Sequence, residues 1–213
     1  MDEKTFFTAL LLIMTLPLSM MAEDKNHAKV NLTEAGTLQD VLMDTDYDRI
    51  DSLTITGKFS GEDLAYLRKA TGRLANLEYI DLTDIEIVEC DEPYYSWTEP
   101  NSSIGGLGLP PVHNYYLSPT DYTTSEQTGS LASLQTKFNY HSPNFDFGFC
   151  GNRNTWGNIL ETYILKELRM PKVSKSAGEY MCFNCINLER VVLPQGCQKV
   201  NAYAFNPTLT LKV

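Results

Sequence analysis

Leu165-Lys166-Glu167-Leu168-Arg169-Met170-Pro171 and, 23 residues on, Leu188-Glu189-Arg190-Val191-Val192-Leu193-Pro194 are two versions of one line. Each places apolar residues first, fourth and sixth, then closes on proline. The spacing holds beyond the line itself. Ala177 maps onto Val200, Tyr180 onto Tyr203, Cys182 onto Phe205 and Leu188 onto Leu211. The same apolar grammar stands at Ile50 to Ile55 and at Leu77 to Leu82. A short strand recurring at such a period predicts a solenoid, in which first, fourth and sixth residues point inward and stack on the next coil. One coil cannot bury its apolar side alone, so stability comes from neighbour interfaces.

A period of roughly 20–30 residues built on a strand is the signature of a leucine-rich repeat. The expected class is α/β: a leucine-rich-repeat solenoid with short parallel strands, helical N-terminal coils and a long irregular insertion. Residues 23–32 read as a polar lead. Thr37-Leu38-Gln39-Asp40-Val41-Leu42 predicts a short helix with Thr37 as N-cap, and Ser60-Gly61-Glu62-Asp63 starts a second. In the second, Leu64, Leu67 and Leu74 share a face, with Arg68, Lys69 and Arg73 largely outside. The stretch from Cys90 to Glu161 breaks the rhythm with Tyr, Asn, Ser, Thr, Gly and Pro, and reads as a long loop excursion. Within it Ile104-Gly105 and Phe147-Gly148-Phe149-Cys150 resemble pieces of one repeat. Gly105 to Pro111 lacks the G-x-G-x-x-G spacing of a nucleotide loop. The resulting division is 1–22 signal peptide, 23–89 N-terminal cap module, 90–164 aromatic and polar insertion, and 165–213 regular repeats. The sequence stops at Val213 inside what should be the next strand, so the array is expected to be truncated or degenerate there.

Residues 165–171, 177–188, 191–194 and 200–205 together resemble the BspA-type leucine-rich repeat of exported bacterial surface proteins. Residues 35–38 and 74–82 are similar to the leader module that precedes such repeats. The insertion departs from that pattern, as does Ala177 where a larger aliphatic residue is usual. The resemblance implies adhesion-like binding without turnover or cofactor.

The N-terminus points the same way. Phe6 to Leu16 is apolar, with Pro17, Ser19 and Ala22 following, which suits a secretory signal cleaved after Ala22. The span is marginal for a membrane helix, so no membrane insertion is expected after cleavage. The net charge of -10 is uneven: 18 acidic and 7 basic residues lie between Glu23 and Glu99, against 7 and 9 from Asn101 to Val213. The acidic half repels phosphate, and the other half has no Lys/Arg cluster, which argues against nucleic acid as a partner.

Five cysteines leave an odd thiol in an exported chain. Cys182 and Cys185 read as buried thiols at inward slots, with a disulfide to Cys150 or Cys197, or zinc or redox chemistry, as alternatives. His27 lies beside the cleavage point, and His113 and His141 read as loop histidines. Standard hydrolase signatures are absent. Asp44-Thr45-Asp46-Tyr47-Asp48 fails as an EF-hand because Arg49 stands where Gly is required. No metal or cofactor is expected.

Two candidate binding surfaces follow. The outward strand residues Thr54, Tyr79, Asp81, Glu167, Arg169 and Arg190 form a mixed polar sheet face. The insertion aromatics Tyr95, Trp97, Tyr115 and Tyr116 offer rigid contact area. The expected function is protein or glycan binding at the cell surface. The alternatives are an envelope enzyme such as a glycoside hydrolase using two carboxylates, or a truncated repeat fragment without a ligand.

Overall fold

The computed structural model describes residues 26–43, 49–69, 76–99, 109–130, 133–149 and 164–205. Residues 1–22, expected above to be a signal peptide, the Asp44 to Asp48 run, Arg73, Leu74, Ile104-Gly105, Cys150 and residues 209–213 lie outside them.

The described chain is mostly strand, arranged as a parallel solenoid-like stack. Five parallel strands form its main sheet in the order β1 (Asn26–Leu32), β2 (Ile50–Phe59), β3 (Tyr79–Ile87), β8 (Glu167–Arg169) and β10 (Arg190–Val192). The register aligns the inward residues as a column: Ala28, Leu53, Ile80, Leu168 and Val191. Leu53 and Leu168 are fully buried, and each such side chain contributes roughly 1.5–3 kcal/mol. Backbone bonds extend the ladder beyond the strands. Glu78 N–H donates to Asp51 O (2.8 Å), Lys166 N–H to Glu78 O (2.7 Å) and Glu189 N–H to Lys166 O (2.8 Å).

Among the described residues the expected α/β character comes down to two short helices, α1 (Leu38–Met43) and α2 (Gly61–Lys69), on the returns between β1, β2 and β3. Thr37 stands at the N-cap position of α1 as anticipated, its carbonyl accepting Val41 N–H (3.0 Å). Its hydroxyl donates backward to Glu34 O (2.8 Å). A further acceptor comes from the next coil: buried Asp63 takes Leu38 N–H (2.9 Å), Gly36 N–H (2.8 Å) and its own helix's Ser60 N–H (2.8 Å). Ser60 and Asp63 thus make the N-cap and N3 half of a capping box, and the same carboxylate ties two coils together.

Two expectations are corrected. The polar lead is strand β1, whose Val30 and Leu32 are buried while Lys29 and Asn31 face out. The irregular insertion carries a four-stranded sheet in the order β4 (Tyr95–Thr98), β5 (Val112–Leu117), β7 (Gln135–Ser142), β6 (Tyr122–Thr128). Thr, Tyr and Phe supply strand propensity there without a hydrophobic alternation.

The chain rejoins the stack at Phe145 to Phe149, as the repeat-like Phe147-Gly148-Phe149 suggests. Phe147 N–H donates to Glu179 O (2.8 Å) and Phe149 N–H to Met181 O (2.7 Å). One coil later Tyr180 N–H meets Ala202 O (3.2 Å) and Cys182 N–H meets Ala204 O (2.7 Å). These corners hold Phe147, Tyr180 and Tyr203 at φ of 57°, 52° and 55°, a region bulky residues seldom adopt. Their rings stack at 4.9 Å, Phe147 on Tyr180 and Tyr180 on Tyr203, and this contact offsets the backbone strain. A small parallel sheet, β9 (Ser176–Ala177) with β11 (Lys199–Val200), completes the last coils.

Candidate ligand-binding surface

Because side chains alternate across a strand, the register that buries one column exposes two others. His27, Ser52, Tyr79, Glu167 and Arg190 form the first outward row; Lys29, Thr54, Asp81, Arg169 and Val192 form the second. Thr54, Tyr79, Asp81, Glu167 and Arg169 line one open groove of about 380 Å³, joined by His27 and Ser52. Arg190 stands beside it, 3.7 Å from Glu167 Oε2. The structure therefore brings the sequence-nominated sheet face together.

Polar contacts within the groove are local. The His27 ring is hydrogen-bonded through Nδ1 to Ser52 Oγ (2.9 Å) and through Nε2 to Thr54 Oγ1 (3.4 Å). Asp81 Oδ1 accepts Thr83 N–H (2.9 Å). Arg169 Nε donates to Glu167 Oε1 (2.8 Å). Solvent-facing ion pairs of this kind contribute about 0–1 kcal/mol, so a ligand can recruit them at little cost. His27 was missed by sequence reading because its strand was missed. The Ala28, Val30, Leu32 alternation was the available signal.

The insertion aromatics divide between two faces. Tyr95, Trp97 and Tyr115 share one, since Tyr95 pairs with Tyr115 and Trp97 with His113 across β4 and β5. Trp97 stacks on His113 (4.6 Å), and Tyr115 stacks on Tyr140 (5.0 Å). Tyr95 and Tyr115 also pack against Phe147 at 5.1 and 4.8 Å, which docks the sheet on the coil corner. Arg68 does not face outward as anticipated. Its guanidinium sits 4.5 Å above the Tyr95 ring and donates to the Phe147 and Gly148 carbonyls. Burial pushes the Tyr115 phenol well above its ordinary value.

Tyr116 belongs to the other face. There it stacks on His141 (4.5 Å), which stacks in turn on Tyr122 (4.1 Å), and Glu89 binds both the His141 ring and the Tyr122 hydroxyl. His113 and His141 are thus strand residues in stacked rows, and His113 bridges Glu99 Oε1 (2.9 Å) and the Tyr140 hydroxyl (3.1 Å). On the same face as Tyr116 a side-chain chain crosses all four strands: Ser96 to Asn114 (2.8 Å), Asn114 to Asn139 (2.9 Å) and Asn139 to Thr124 (3.4 Å).

The four described cysteines are thiols, with Cys182 and Cys185 fully buried and Cys185 Sγ donating to Phe149 O (3.2 Å). Among the described residues no group of His, Cys, Asp and Glu is arranged to hold a metal ion, and no helix is long and apolar enough to cross a membrane. No protein-family model matches this chain, and no characterised protein of similar sequence was found.

Proposed function

We propose that this chain is an exported, non-catalytic leucine-rich-repeat protein of the BspA type that binds a protein or glycan ligand at the bacterial cell surface. The observation that supports it is the in-register sheet face, where seven strand residues from three coils converge with His27 on one groove. Acid stands beside base in each outward row, Asp81 next to Arg169 and Glu167 next to Arg190, and with the Tyr79 ring they offer directional polar contacts around an aromatic anchor. Such mixed surfaces set partner choice more than raw affinity. Turnover has no part in this reading; the groove holds its ligand by ion pairs, hydrogen bonds and ring contact.

The test is capture of ligands from extracellular-matrix protein and glycan arrays, comparing the wild type with Tyr79→Ala and Arg169→Glu. The expected result is a ligand retained by the wild type and lost by both variants with unfolding unchanged. Retention by both variants equal to that of the wild type would refute the proposal, as would the absence of any ligand retained by the wild type.

A further inference from the structure

A cavity of about 390 Å³ lies between the inserted sheet and the β9/β11 side of the last coils, and it shares no residue with the sheet-face groove. Its walls come from parts of the chain distant in sequence. Thr123 and Tyr140 face it from β6 and β7, Asp146 from the returning segment, and Ser176, Glu179 and Asn201 from the coils. The volume falls in the range of small-ligand sites, roughly 300–1,000 Å³.

The polar framework is fixed before any ligand arrives. Buried Asn144 accepts Lys175 N–H (3.1 Å) and Ser176 N–H (3.0 Å) at Oδ1, while its amide nitrogen donates to Asp121 (3.4 Å). Asp146 Oδ1 accepts Glu179 N–H (2.6 Å), and Asn201 donates to Ser176 Oγ (3.4 Å). Groups held by the backbone cost little further ordering on binding.

We propose that this cleft is a second binding site, for a neutral saccharide. Carboxylates (Asp121, Asp146, Glu179), hydroxyls (Thr123, Ser142, Ser176) and carboxamides (Asn144, Asn201) share its lining, so it offers both donors and acceptors. Adjacent sugar hydroxyls, each both donor and acceptor, complement that pattern. The Tyr115 and Tyr140 rings supply an apolar wall for the C–H side of a pyranose. Anions are excluded by Asp121, Asp146 and Glu179. A cation would meet Lys199 on the same lining. An apolar ligand would desolvate these polar groups without pairing them. Burial, with the neighbouring Asp121 and Glu179 charges adding to it, raises the Asp146 carboxyl above its ordinary range, which favours hydrogen bonding to neutral hydroxyls.

The experiment is calorimetric titration and saturation-transfer NMR of the full chain. The probes are short β-linked oligomers of glucose, N-acetylglucosamine, xylose and mannose, with spermine as cationic control. At least one oligomer is expected to bind saturably. Glu179→Gln and Asn201→Ala should each weaken it about tenfold, as loss of one charge-assisted or neutral contact does, and Thr123→Trp should block it by filling the cleft. Tyr79→Ala, in the other groove, should leave it unchanged. The proposal is overturned if no oligomer saturates, if spermine alone binds, or if Tyr79→Ala abolishes binding while the cleft variants retain it.

Discussion

Asp63→Ala tests the reasoning most directly, because one buried carboxylate closes three backbone donors from two coils. Gly36, Leu38 and Ser60 N–H groups approach it at 2.8, 2.9 and 2.8 Å, and the Ser60 hydroxyl at 3.3 Å. Each buried donor left without an acceptor costs about 1–3 kcal/mol. Water entering the vacated space recovers part of that, so the expected loss is about 3–5 kcal/mol. Domain stabilities run to about 5–15 kcal/mol, so the N-terminal coils should approach melting at room temperature. Asp63→Asn keeps one acceptor oxygen but turns an amide toward the remaining donors, for an intermediate loss of about 1–3 kcal/mol. Glu62→Ala, one position earlier and exposed, is the control. Urea unfolding followed by circular dichroism gives the magnitude, and hydrogen exchange at Gly36, Leu38 and Ser60 gives the location. A cost for Asp63→Ala below about 1 kcal/mol, or undiminished protection at Leu38, would refute the claim that the coil-to-coil cap holds β1 in place.

Leu168→Asp puts a charge between Ile80 and Val191, and should cost about 4 kcal/mol or more, read as loss of far-ultraviolet signal at a lower urea midpoint. Gly178→Ala would place a methyl 2.4 Å from Asn144 O and 2.5 Å from Asp146 N. It should destabilise by at least about 1–3 kcal/mol in thermal scans, whereas Gly196→Ala, with open space around it, should be near neutral. Arg68→Ala removes the cation above Tyr95 and the bonds to the Phe147 and Gly148 carbonyls, and limited proteolysis should then cut within 95–142 at a higher rate. Asp146 has a raised carboxyl, chiefly from burial, with Asp121 and Glu179 adding and the Glu179 N–H and Ser142 opposing. The folded state therefore keeps a proton that the unfolded chain releases, and stability falls as pH climbs from the ordinary carboxyl range toward the raised value. Asp146→Asn cannot titrate, so wild-type stability minus variant stability should decline with pH across that window in urea titrations. A flat or rising difference would contradict the sign.

The legible parts of the fold were those where burial writes a period. Leu165 to Pro171 and Leu188 to Pro194 announce parallel strands because their inward residues are large and aliphatic. Ser60-Gly61-Glu62-Asp63 announces a helix because capping chemistry is local. β1 was hidden because its inward residues begin with small Ala28, and its outward ones, Lys29 and Asn31, give a polar average. The inserted sheet was hidden for a different reason. Its strands are held by cross-strand ring stacking and by the Ser96–Asn114–Asn139–Thr124 chain, and neither leaves an aliphatic alternation to read. The site followed the same rule. Thr54, Tyr79, Asp81, Glu167 and Arg169 were recoverable as the residues between inward ones, while His27 required knowing its strand. Tyr116 could not be separated from Tyr115 without knowing that Val112–Leu117 is a strand, where consecutive residues take opposite faces.

The groove depends on register more than on any single element. β3 and β8 are consecutive in the sheet although the whole inserted sheet lies between them in sequence, and Tyr79 still faces Glu167 while Asp81 faces Arg169. That is possible because each coil of a solenoid senses its neighbours and not its sequence distance from them. The excursion must then return at the depth where it left. The Lys166 N–H bond to Glu78 O and the Phe147 N–H bond to Glu179 O fix that return at two separate corners of the coil. A slip of one residue in β8 would turn Leu168 outward and Glu167 inward, burying a charge at the centre of the column and removing the acid from the groove at once. The same side-chain alternation therefore makes core stability and the candidate surface inseparable at this strand. Substitutions that loosen the insertion's docking at Arg68 or Gly178 should consequently disturb the groove without touching it.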